Sequence, residues 1–188
     1  REDQDKFAYW SQMKASKAQD NGRLAKEIVT VEIPQRKKDP IQFAKDEFVK
    51  PNTSLEVLGK LRAAFKKEGG SVTAGNASGL NDGAVATIIA SEDAVKKYNL
   101  KPLARIVSSA VIGVEPRIMG IGPIDAIPKA IQAAGLKQND ISLYELNEAF
   151  ASQSVAVLKE LDLDPTIVNP NGGAIALGHP FGCTGKIH

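Results

Sequence analysis

Residues 169–185, NPNGGAIALGHPFGCTG, contain the only cysteine of the chain, Cys183, and one of its two histidines, His179. The five glycines in this stretch are more than a strand or a helix tolerates. Pro180 fixes the backbone immediately after the histidine. The stretch therefore predicts a tight loop whose backbone lies close to a neighbouring segment, with an imidazole at its apex.

The imidazole of His179 has two interpretations. A single histidine is often a structural residue, whereas one held between Gly178 and Pro180 at a loop apex can serve as a base or a hydrogen-bond donor. Cys183 lies beside Thr184 at the predicted start of a helix, and nothing in the pattern places its sulfur near the imidazole. We therefore expect a packed thiol rather than an activated nucleophile.

Two more polar clusters interrupt the apolar pattern, TAGNASG at residues 73–79 and NEAFA at residues 147–151. Each lies at the end of a predicted element, where the loops of open α/β sheets bind their ligands. Asn147 opens a predicted helix, so its side chain either caps that helix or holds a water or a substrate carbonyl with its amide. The three clusters contain the candidate functional residues.

Apolar periodicity between these loops predicts alternating strands and helices, which is typical of an α/β fold. We expect helices over residues 2–20, from Ser54 to Phe65, over residues 91–98, up to Gly135 and after Asn147. We expect strands over residues 27–33, 85–90, 104–114, 141–146 and 167–168, with a surface segment over residues 35–52. Residues 69–84, crowded with Gly, Ser, Asn and Thr, predict a loop.

Composition narrows the class of protein. Of 188 residues 43% are apolar, and 24 basic against 22 acidic side chains give a net charge of +2, as in an ordinary globular protein. The densest basic run, residues 36–38, is short and has no aromatic neighbours, so we expect no nucleic-acid partner. No apolar run approaches the roughly 20 residues of a membrane helix, and the charged opening REDQDKFAYW is no signal peptide. We therefore expect a soluble intracellular protein without membrane association.

Three further kinds of site find little support in the sequence. One cysteine cannot form an intrachain disulfide, which fits a reducing compartment. One cysteine and two distant histidines lack metal-ligand spacing, so we expect no metal site. The glycines of MGIGP and GHPFGCTG do not complete the G-x-G-x-x-G pattern, and no Walker loop is present, so a dinucleotide-binding module ranks last among the alternatives.

Taken together and in this order, TAGNASGLNDGA, NEAFA and NPNGGAIALGHPFGCTG resemble the thiolase family. The helix DQDKFAYWSQMKASKAQDNG and the phrase GVEPRIMGIGP extend the resemblance over essentially the whole chain. Thiolases cleave a 3-ketoacyl-CoA with coenzyme A, or in reverse join two acyl-CoA molecules in a Claisen condensation, through a cysteine acyl-enzyme. The resemblance implies an acyltransferase of fatty acid metabolism, such as β-oxidation.

The resemblance also implies an architecture. The family fold is α/β, with two similar halves stacked in layers, α-β-α-β-α, mixed sheets, and a loop domain that covers the coenzyme. Residues 1–80 then correspond to part of the loop domain, residues 81–102 to the last strand and helix of the N-terminal half, and residues 103–188 to a truncated C-terminal half. Coenzyme A and acyl-CoA are the implied substrates and partners, with no permanently bound cofactor. A homodimer or homotetramer of the full-length protein is implied, in the cytoplasm or alternatively in peroxisomes or mitochondria.

Site residues follow from the matched motifs. His179, in GHP, would activate the nucleophilic cysteine and donate to the thioester oxygen, and Asn147, in NEAF, would hold the water that completes this oxyanion hole. Ser78 would bond the pantetheine arm of coenzyme A. The residues that would line the coenzyme tunnel or the acyl pocket are Phe65, Ala74, Gly75 and Phe150.

The sequence departs from the family pattern in its cysteines. The nucleophilic cysteine of thiolases lies upstream of the part present here, and a second cysteine lies downstream in a C-x-G motif. Cys183 matches neither position, and at that position the family also accepts alanine. We therefore expect the thiol partner of His179 to lie outside these residues and the chain alone to be inactive. A noncatalytic acyl-CoA- or lipid-binding relative, or an inactive fragment, is the alternative, and the acyl substrate stays open.

Overall fold

Helix α1, Glu2–Asp20, is the longest element of the computed structural model, which describes residues 1–187 and the side chains of residues 1–185. His188, the last residue of the third predicted segment, lies outside the described residues. Acidic residues in the first turn of α1 complement the positive end of its dipole, and the helix ends at Asn21, before Gly22 with φ +74°. The predicted helix over residues 2–20 is confirmed.

A two-stranded antiparallel hairpin follows, formed by β1, Val31–Gln35, and β2, Lys38–Phe43. The predicted strand over residues 27–33 is therefore displaced, and its partner lies within the segment expected to be a surface loop. Both strands are solvent-exposed along their whole length. Pro34 lies inside β1 where the register is irregular, which is tolerated because a proline needs no ladder partner at such a break.

Helix α2, Leu55–Gly59, is much shorter than the predicted helix up to Phe65. The hydroxyl of Ser54 accepts a hydrogen bond from the amide of Val57 and begins the helix, and Gly59 is its last residue. Residues 69–84 form an irregular loop, as predicted, apart from one bridge at Ala77. Helix α3, Glu92–Lys97, begins at a similar Ser91 cap and confirms the predicted helix there.

The predicted strands over residues 85–90 and 104–114 are wrong for the described chain. Both segments run without a strand partner, and Ile88 is 88% exposed while Val111 is 85% exposed. A strand needs a neighbour for its backbone groups, and the described residues provide none beside these segments. Apolar composition identified them as strand-like, but composition does not supply the neighbour.

The C-terminal part contains helix α4, Gly122–Ala133, helix α5, Ala151–Glu160, and the one-turn helices α6, Ala174–Leu177, and α7, Thr184–Ile187. Short 3-10 turns cover Leu24–Lys26, Pro116–Ile121 and Gln138–Asp140. The predicted strands over residues 141–146 and 167–168 reduce to one parallel bridge, in which the amide of Tyr144 donates to the carbonyl of Ile167 at 2.9 Å.

The main hydrophobic core joins α1, α2, α5 and α6. Its buried members are Phe7, Ala8, Leu58, Tyr144, Leu146, Ala151, Val157, Leu158, Leu163, Val168 and Ile175. Because α1 packs against both α5 and α6, the loops before α5 and around α6 meet over its surface. Among the described residues, no helix has the length and apolar character needed to cross a membrane.

Hydrogen exchange tests the unpaired segments. The backbone amides of residues 81–90 and 101–114 donate to no other described residue, so we expect them to exchange within the first time point at neutral pH. The amides in the middle of α1 serve as the protected reference in the same sample. Protection of the two segments equal to that of α1 would show that they are paired strands after all.

Candidate active site

The side chains of Asn147 and His179 meet although 32 residues separate them. Nδ2 of Asn147 lies 3.3 Å from Nε2 of His179. Helix α5 begins with Phe150 at its N-cap, so the interpretation of Asn147 as the cap of that helix is wrong. Its amide is instead directed at the imidazole. Gly178, with φ +94°, ends α6 and turns the chain into His179.

The carboxylate of Glu148 holds these two segments in place. It is 1% exposed and accepts hydrogen bonds from the Ser11 hydroxyl at 2.5 Å, the Asn169 amide at 2.8 Å and the Ile175 backbone N–H at 3.2 Å. The donors belong to α1, to the segment after the Tyr144–Val168 bridge, and to the first turn of α6. Burial raises the pKa of the Glu148 carboxyl, and the three hydrogen bonds oppose that shift.

The side chain of Asn169 joins the start of the glycine-rich loop to the segment that precedes Asn147. Its Nδ2 donates to the carbonyl of Leu146 at 2.8 Å and its Oδ1 accepts from the amide of Leu146 at 2.7 Å. The residue is 1% exposed and has φ +47°, a conformation that asparagine tolerates better than most residues. The strand-like segment before Asn147 is thereby fixed to the start of the glycine-rich loop.

Two glycines allow the loop to approach α1 and Glu148. A Cβ on Gly172, which has φ +80°, would lie 2.6 Å from the carbonyl oxygen of Ser11. A Cβ on Gly173 would collide with the carboxylate of Glu148. The expectation that the glycines bring the backbone close to a neighbour is confirmed, and the neighbours are α1 and Glu148.

A buried polar face of α1 holds all three predicted loops. Ser11 binds Glu148 of NEAFA, as described above. The side chain of Gln12 donates to the carbonyl of Ile175 at 3.2 Å, and Asp5 accepts from the side-chain amide of Asn76, in TAGNASG, at 2.9 Å. Sequence reasoning missed Asp5, Ser11 and Gln12. Their signal was the seven-residue spacing of Asp5 and Gln12, which places these two on one face of a helix, with Ser11 adjoining Gln12.

The loop at residues 73–79 lies against NEAFA. The backbone N–H of Ser78 donates to the carbonyl of Ala149 at 3.0 Å. The backbone N–H of Ala151 donates to the backbone carbonyl of Asn76 at 2.9 Å. The hydroxyl of Ser78 makes no hydrogen bond to the described residues. The rings of Phe65 and Phe150 meet edge to face with centroids 6.3 Å apart.

The remaining tunnel residues are arranged less closely. Ala74 is exposed, and Gly75 lies against Leu58 and Leu61, where a Cβ would clash. A cavity of about 230 Å³ beside Phe65 is lined by residues of the 65–72 segment rather than by Ala74, Gly75 or Ser78. The structure thus brings Ser78 and Phe65 against NEAFA, which contains Phe150, and leaves Ala74, Gly75 and Ser78 outside this cavity.

His179 faces a second cavity of about 230 Å³, lined by Leu80, Asn81, Asp82, His179 and Phe181. The Phe181 ring lies edge-on to the imidazole, with centroids 4.8 Å apart. The carboxamide of Asn81 packs against Gly178, and its Oδ1 is buried without a hydrogen-bond partner among the described residues. Asn81 and Asp82 were missed because the sequence placed them only in a long polar loop.

Cys183 is buried, at 5% exposed, and no hydrogen bond joins it to His179. Nδ1 of His179 lies 2.8 Å from Oγ1 of Thr184 instead. The prediction of a packed thiol is confirmed. Within the described part of the chain, no cluster of three His, Cys, Asp or Glu side chains is suited to a metal ion.

Comparison with known proteins agrees with this arrangement of loops. The family model described as thiolase, N-terminal domain, matches residues 1–93, and that described as thiolase, C-terminal domain, matches residues 100–187. The chain belongs to the thiolase family. The resemblance expected from the three motifs is thus confirmed, and so is the thiolase-like α/β fold.

Similar curated proteins include two bacterial thiolase relatives. A probable acetyl-CoA acyltransferase of Staphylococcus epidermidis is 54% identical over 185 residues, covering 98% of this chain and 47% of the relative. A beta-ketoadipyl-CoA thiolase of Acinetobacter baylyi is 54% identical over 187 residues, covering 98% of this chain and 46% of the relative. The chain therefore spans somewhat less than half the length of these thiolases.

A solved thiolase has the same fold over the matched region. Human mitochondrial 3-ketoacyl-CoA thiolase in complex with CoA superposes with a TM-score of 0.88 at 54% identity. The match covers 96% of this chain and 44% of the human chain. The thiolase fold therefore accounts for the order of elements described above.

Replacing Glu148 by Ala tests its role in the fold of this thiolase chain. Glu148→Ala leaves three buried donors without an acceptor, so we expect a loss of about 3 kcal/mol in the free energy of unfolding. Urea denaturation at pH 5 measures it. Glu160→Ala, an exposed position on α5, is the matched control and should change the free energy by less than about 0.5 kcal/mol. Equal effects of the two substitutions would contradict the role assigned to Glu148.

The pH dependence of unfolding gives a second test of the same carboxyl. Because burial raises the pKa of Glu148 above its ordinary value of 4.5, the folded state holds its proton to higher pH than the unfolded state. Its contribution to stability therefore falls as the pH rises from about 4.5 through the raised pKa. We expect the stability difference between the unaltered chain and Glu148→Ala to narrow between pH 5 and pH 8 in urea titrations. A difference that widens over this range would contradict the raised pKa.

Proposed function

We propose that this chain supplies the imidazole and the carboxamide of a thiolase-type acyltransferase. The reaction is the coenzyme A-dependent cleavage of a 3-ketoacyl-CoA, or in reverse the condensation of two acyl-CoA molecules. The observation that carries the proposal is the 3.3 Å contact between Nδ2 of Asn147 and Nε2 of His179 at the edge of a cavity.

The chemistry of a thioester explains why these two groups belong together. Attack on the thioester carbon moves negative charge onto its oxygen, and donors fixed beforehand stabilise that charge without having to reorganise. In this role Asn147 donates through Nδ2, directly or through a held water. His179 first takes the thiol proton on Nε2 and afterwards donates from the same atom. Each donor of this kind contributes on the order of a hundred- to a thousandfold in rate.

Coenzyme A is the proposed substrate, with no permanently bound cofactor. In support, the Ser78 hydroxyl has no hydrogen bond to the described residues, and its loop is hydrogen-bonded to NEAFA directly beside Asn147. The rings of Phe65 and Phe150, which meet edge to face, offer an apolar wall at NEAFA. We propose that Ser78 bonds the pantetheine arm and that Phe65, with the backbone at Ala74 and Gly75, lines its path. Phe150 would shape the acyl pocket.

The nucleophilic thiol is proposed to come from outside residues 1–188, because Cys183 is buried away from the imidazole. We propose further that residues 1–80 belong to the loop domain, residues 81–102 to the N-terminal half and residues 103–188 to the C-terminal half. A homodimer or homotetramer in the cytoplasm, acting in fatty acid degradation, completes the proposal.

A chimera tests the proposed function. Residues 1–188 replace the matching region of human mitochondrial 3-ketoacyl-CoA thiolase, which supplies the rest of the fold, and thiolysis of acetoacetyl-CoA is followed with the unmodified host in parallel. We expect an active chimera. Asn147→Ala should lower kcat by about a hundred- to a thousandfold and His179→Ala by at least as much, because each removes a donor at the developing oxyanion. Asn139→Ala, an exposed asparagine in a 3-10 turn, is the matched control and should leave kcat unchanged.

Two outcomes would contradict the acyltransfer proposal. An active chimera in which His179→Ala retains full activity would remove the imidazole from the chemistry. A folded chimera that binds coenzyme A but does not thiolyse acetoacetyl-CoA would favour the noncatalytic acyl-CoA-binding alternative.

A further inference from the structure

Thr184 contacts the side of the His179 imidazole opposite Asn147. Its Oγ1 lies 2.8 Å from Nδ1 of His179 and 3.0 Å from the carbonyl oxygen of Pro180. The residue is 2% exposed and is the first residue of α7. The hydroxyl is therefore held between two partners, with no access to bulk water.

The donation from the Thr184 hydroxyl to Pro180 assigns the protons of the groups around His179. The Thr184 hydroxyl donates its single proton to the carbonyl of Pro180 at 3.0 Å, and that carbonyl also accepts from the backbone N–H groups of Cys183 and Thr184. The oxygen of Thr184 then accepts from His179, which places the imidazole proton on Nδ1. Nε2 of the neutral ring carries the lone pair and accepts from Nδ2 of Asn147.

We propose that Thr184 is a positioning residue that fixes His179 in the Nδ1–H tautomer and so presents the Nε2 lone pair toward Asn147 and the cavity. The inference rests on the proposed function for its catalytic meaning, whereas the tautomer itself follows from the hydrogen bonds alone. In free imidazole side chains the proton prefers Nε2, which would block the basic nitrogen. The hydroxyl of Thr184 reverses that preference.

The two hydrogen bonds through Thr184 serve both protonation states of His179, whereas Nε2 accepts from Asn147 only while it is unprotonated. When Nε2 takes a proton from a thiol, the sulfur becomes a thiolate and the ring an imidazolium with protons on both nitrogens. Nδ1 continues to donate to Thr184, whose hydroxyl continues to donate to Pro180. When Nε2 returns the proton to a leaving thiolate, the ring is again the Nδ1–H tautomer. The hydroxyl never has to turn, so the proton moves on and off one nitrogen only.

Nitrogen-15 NMR of the histidine ring tests the tautomer directly. The 188-residue chain has two histidines, so a His188→Gln background leaves the signals of His179 alone. At a pH where the ring is neutral, we expect a protonated, pyrrole-like Nδ1 and an unprotonated, pyridine-like Nε2. In Thr184→Val, which keeps the side-chain shape but removes the hydroxyl, we expect the protonated nitrogen to change to Nε2, and in Thr184→Ser to stay on Nδ1.

The control for this experiment is Thr53→Val. The hydroxyl of Thr53 also donates to a backbone carbonyl, that of Lys50 at 2.8 Å, but has no hydrogen bond to the imidazole. Thr53→Val should leave the protonation of the two His179 ring nitrogens unchanged. An Nε2–H tautomer in the unaltered ring, or a tautomer that Thr184→Val does not change, would overturn the proposal.

Kinetics in the chimera with the human thiolase provide the second readout. Thr184→Val should lower kcat at least about tenfold with little change in KM, because it disturbs the base and not the binding of substrate, and Thr184→Ser should restore most of the loss. A Thr184→Val variant with unchanged kcat would overturn the positioning role.

The two readouts separate this inference from the proposed function. If the chimera is inactive but the unaltered ring is Nδ1–H and changes in Thr184→Val, the acyltransfer proposal fails and the tautomer assignment stands. If the chimera is active but the tautomer does not depend on Thr184, the acyltransfer proposal stands and the positioning role of Thr184 fails.

Discussion

The buried carboxylate of Glu148 is the interaction on which the rest of this structure depends. A charge removed from water costs several kcal/mol unless hydrogen bonds replace its hydration. Here the Ser11 hydroxyl, the Asn169 amide and the Ile175 backbone N–H replace it. Each donor comes from a different segment, so satisfying one carboxylate fixes α1, the end of the 141–146 segment and α6 relative to one another. Asn147 adjoins the carboxylate and His179 follows α6, which is why the two meet.

Helix α1 acts as the support for this arrangement. Its polar face carries Asp5, Ser11 and Gln12, which bind the loop at residues 73–79 and the glycine-rich loop. The close approach requires Gly172 and Gly173, because a side chain at either position would meet α1 or the carboxylate. A functional pair that is distant in sequence is therefore positioned by residues that never touch a substrate. In the same way Thr184 orients His179 through the contact with Nδ1, on the side of the ring opposite Asn147.

The sequence predicted the local parts of the fold well. The helices α1, α3 and α5 carry their own signals in acidic first turns, a serine cap or apolar spacing, and these signals do not depend on distant residues. The strands over residues 85–90 and 104–114 were wrong because a strand depends on a neighbour that apolar composition cannot supply. The start of α5 was misplaced because Asn147 is a good capping residue by type but is directed at His179 by Glu148.

The candidate site could be predicted only in part. Glycine density and Pro180 predicted a loop apex at His179. No spacing rule pairs His179 with Asn147, so the pairing came from the resemblance of three motifs to thiolases. Glu148, Asn169 and Thr184 escaped notice because their importance lies in contacts with residues far along the chain or in a tautomer. A polar side chain becomes recognisable as a positioning group only when its burial and its partners are known.

A pair of crystal structures, of the unaltered chain and of Glu148→Ala, tests the central claim most directly. The account predicts that the unaltered chain has the Asn147 amide within hydrogen-bond distance of His179 Nε2, at about the 3.3 Å described here. It predicts that in Glu148→Ala this contact is lost, because α6 is released from the NEAFA segment, while α1 and α5 still superpose. Survival of the contact between Asn147 and His179 without the carboxylate would contradict it.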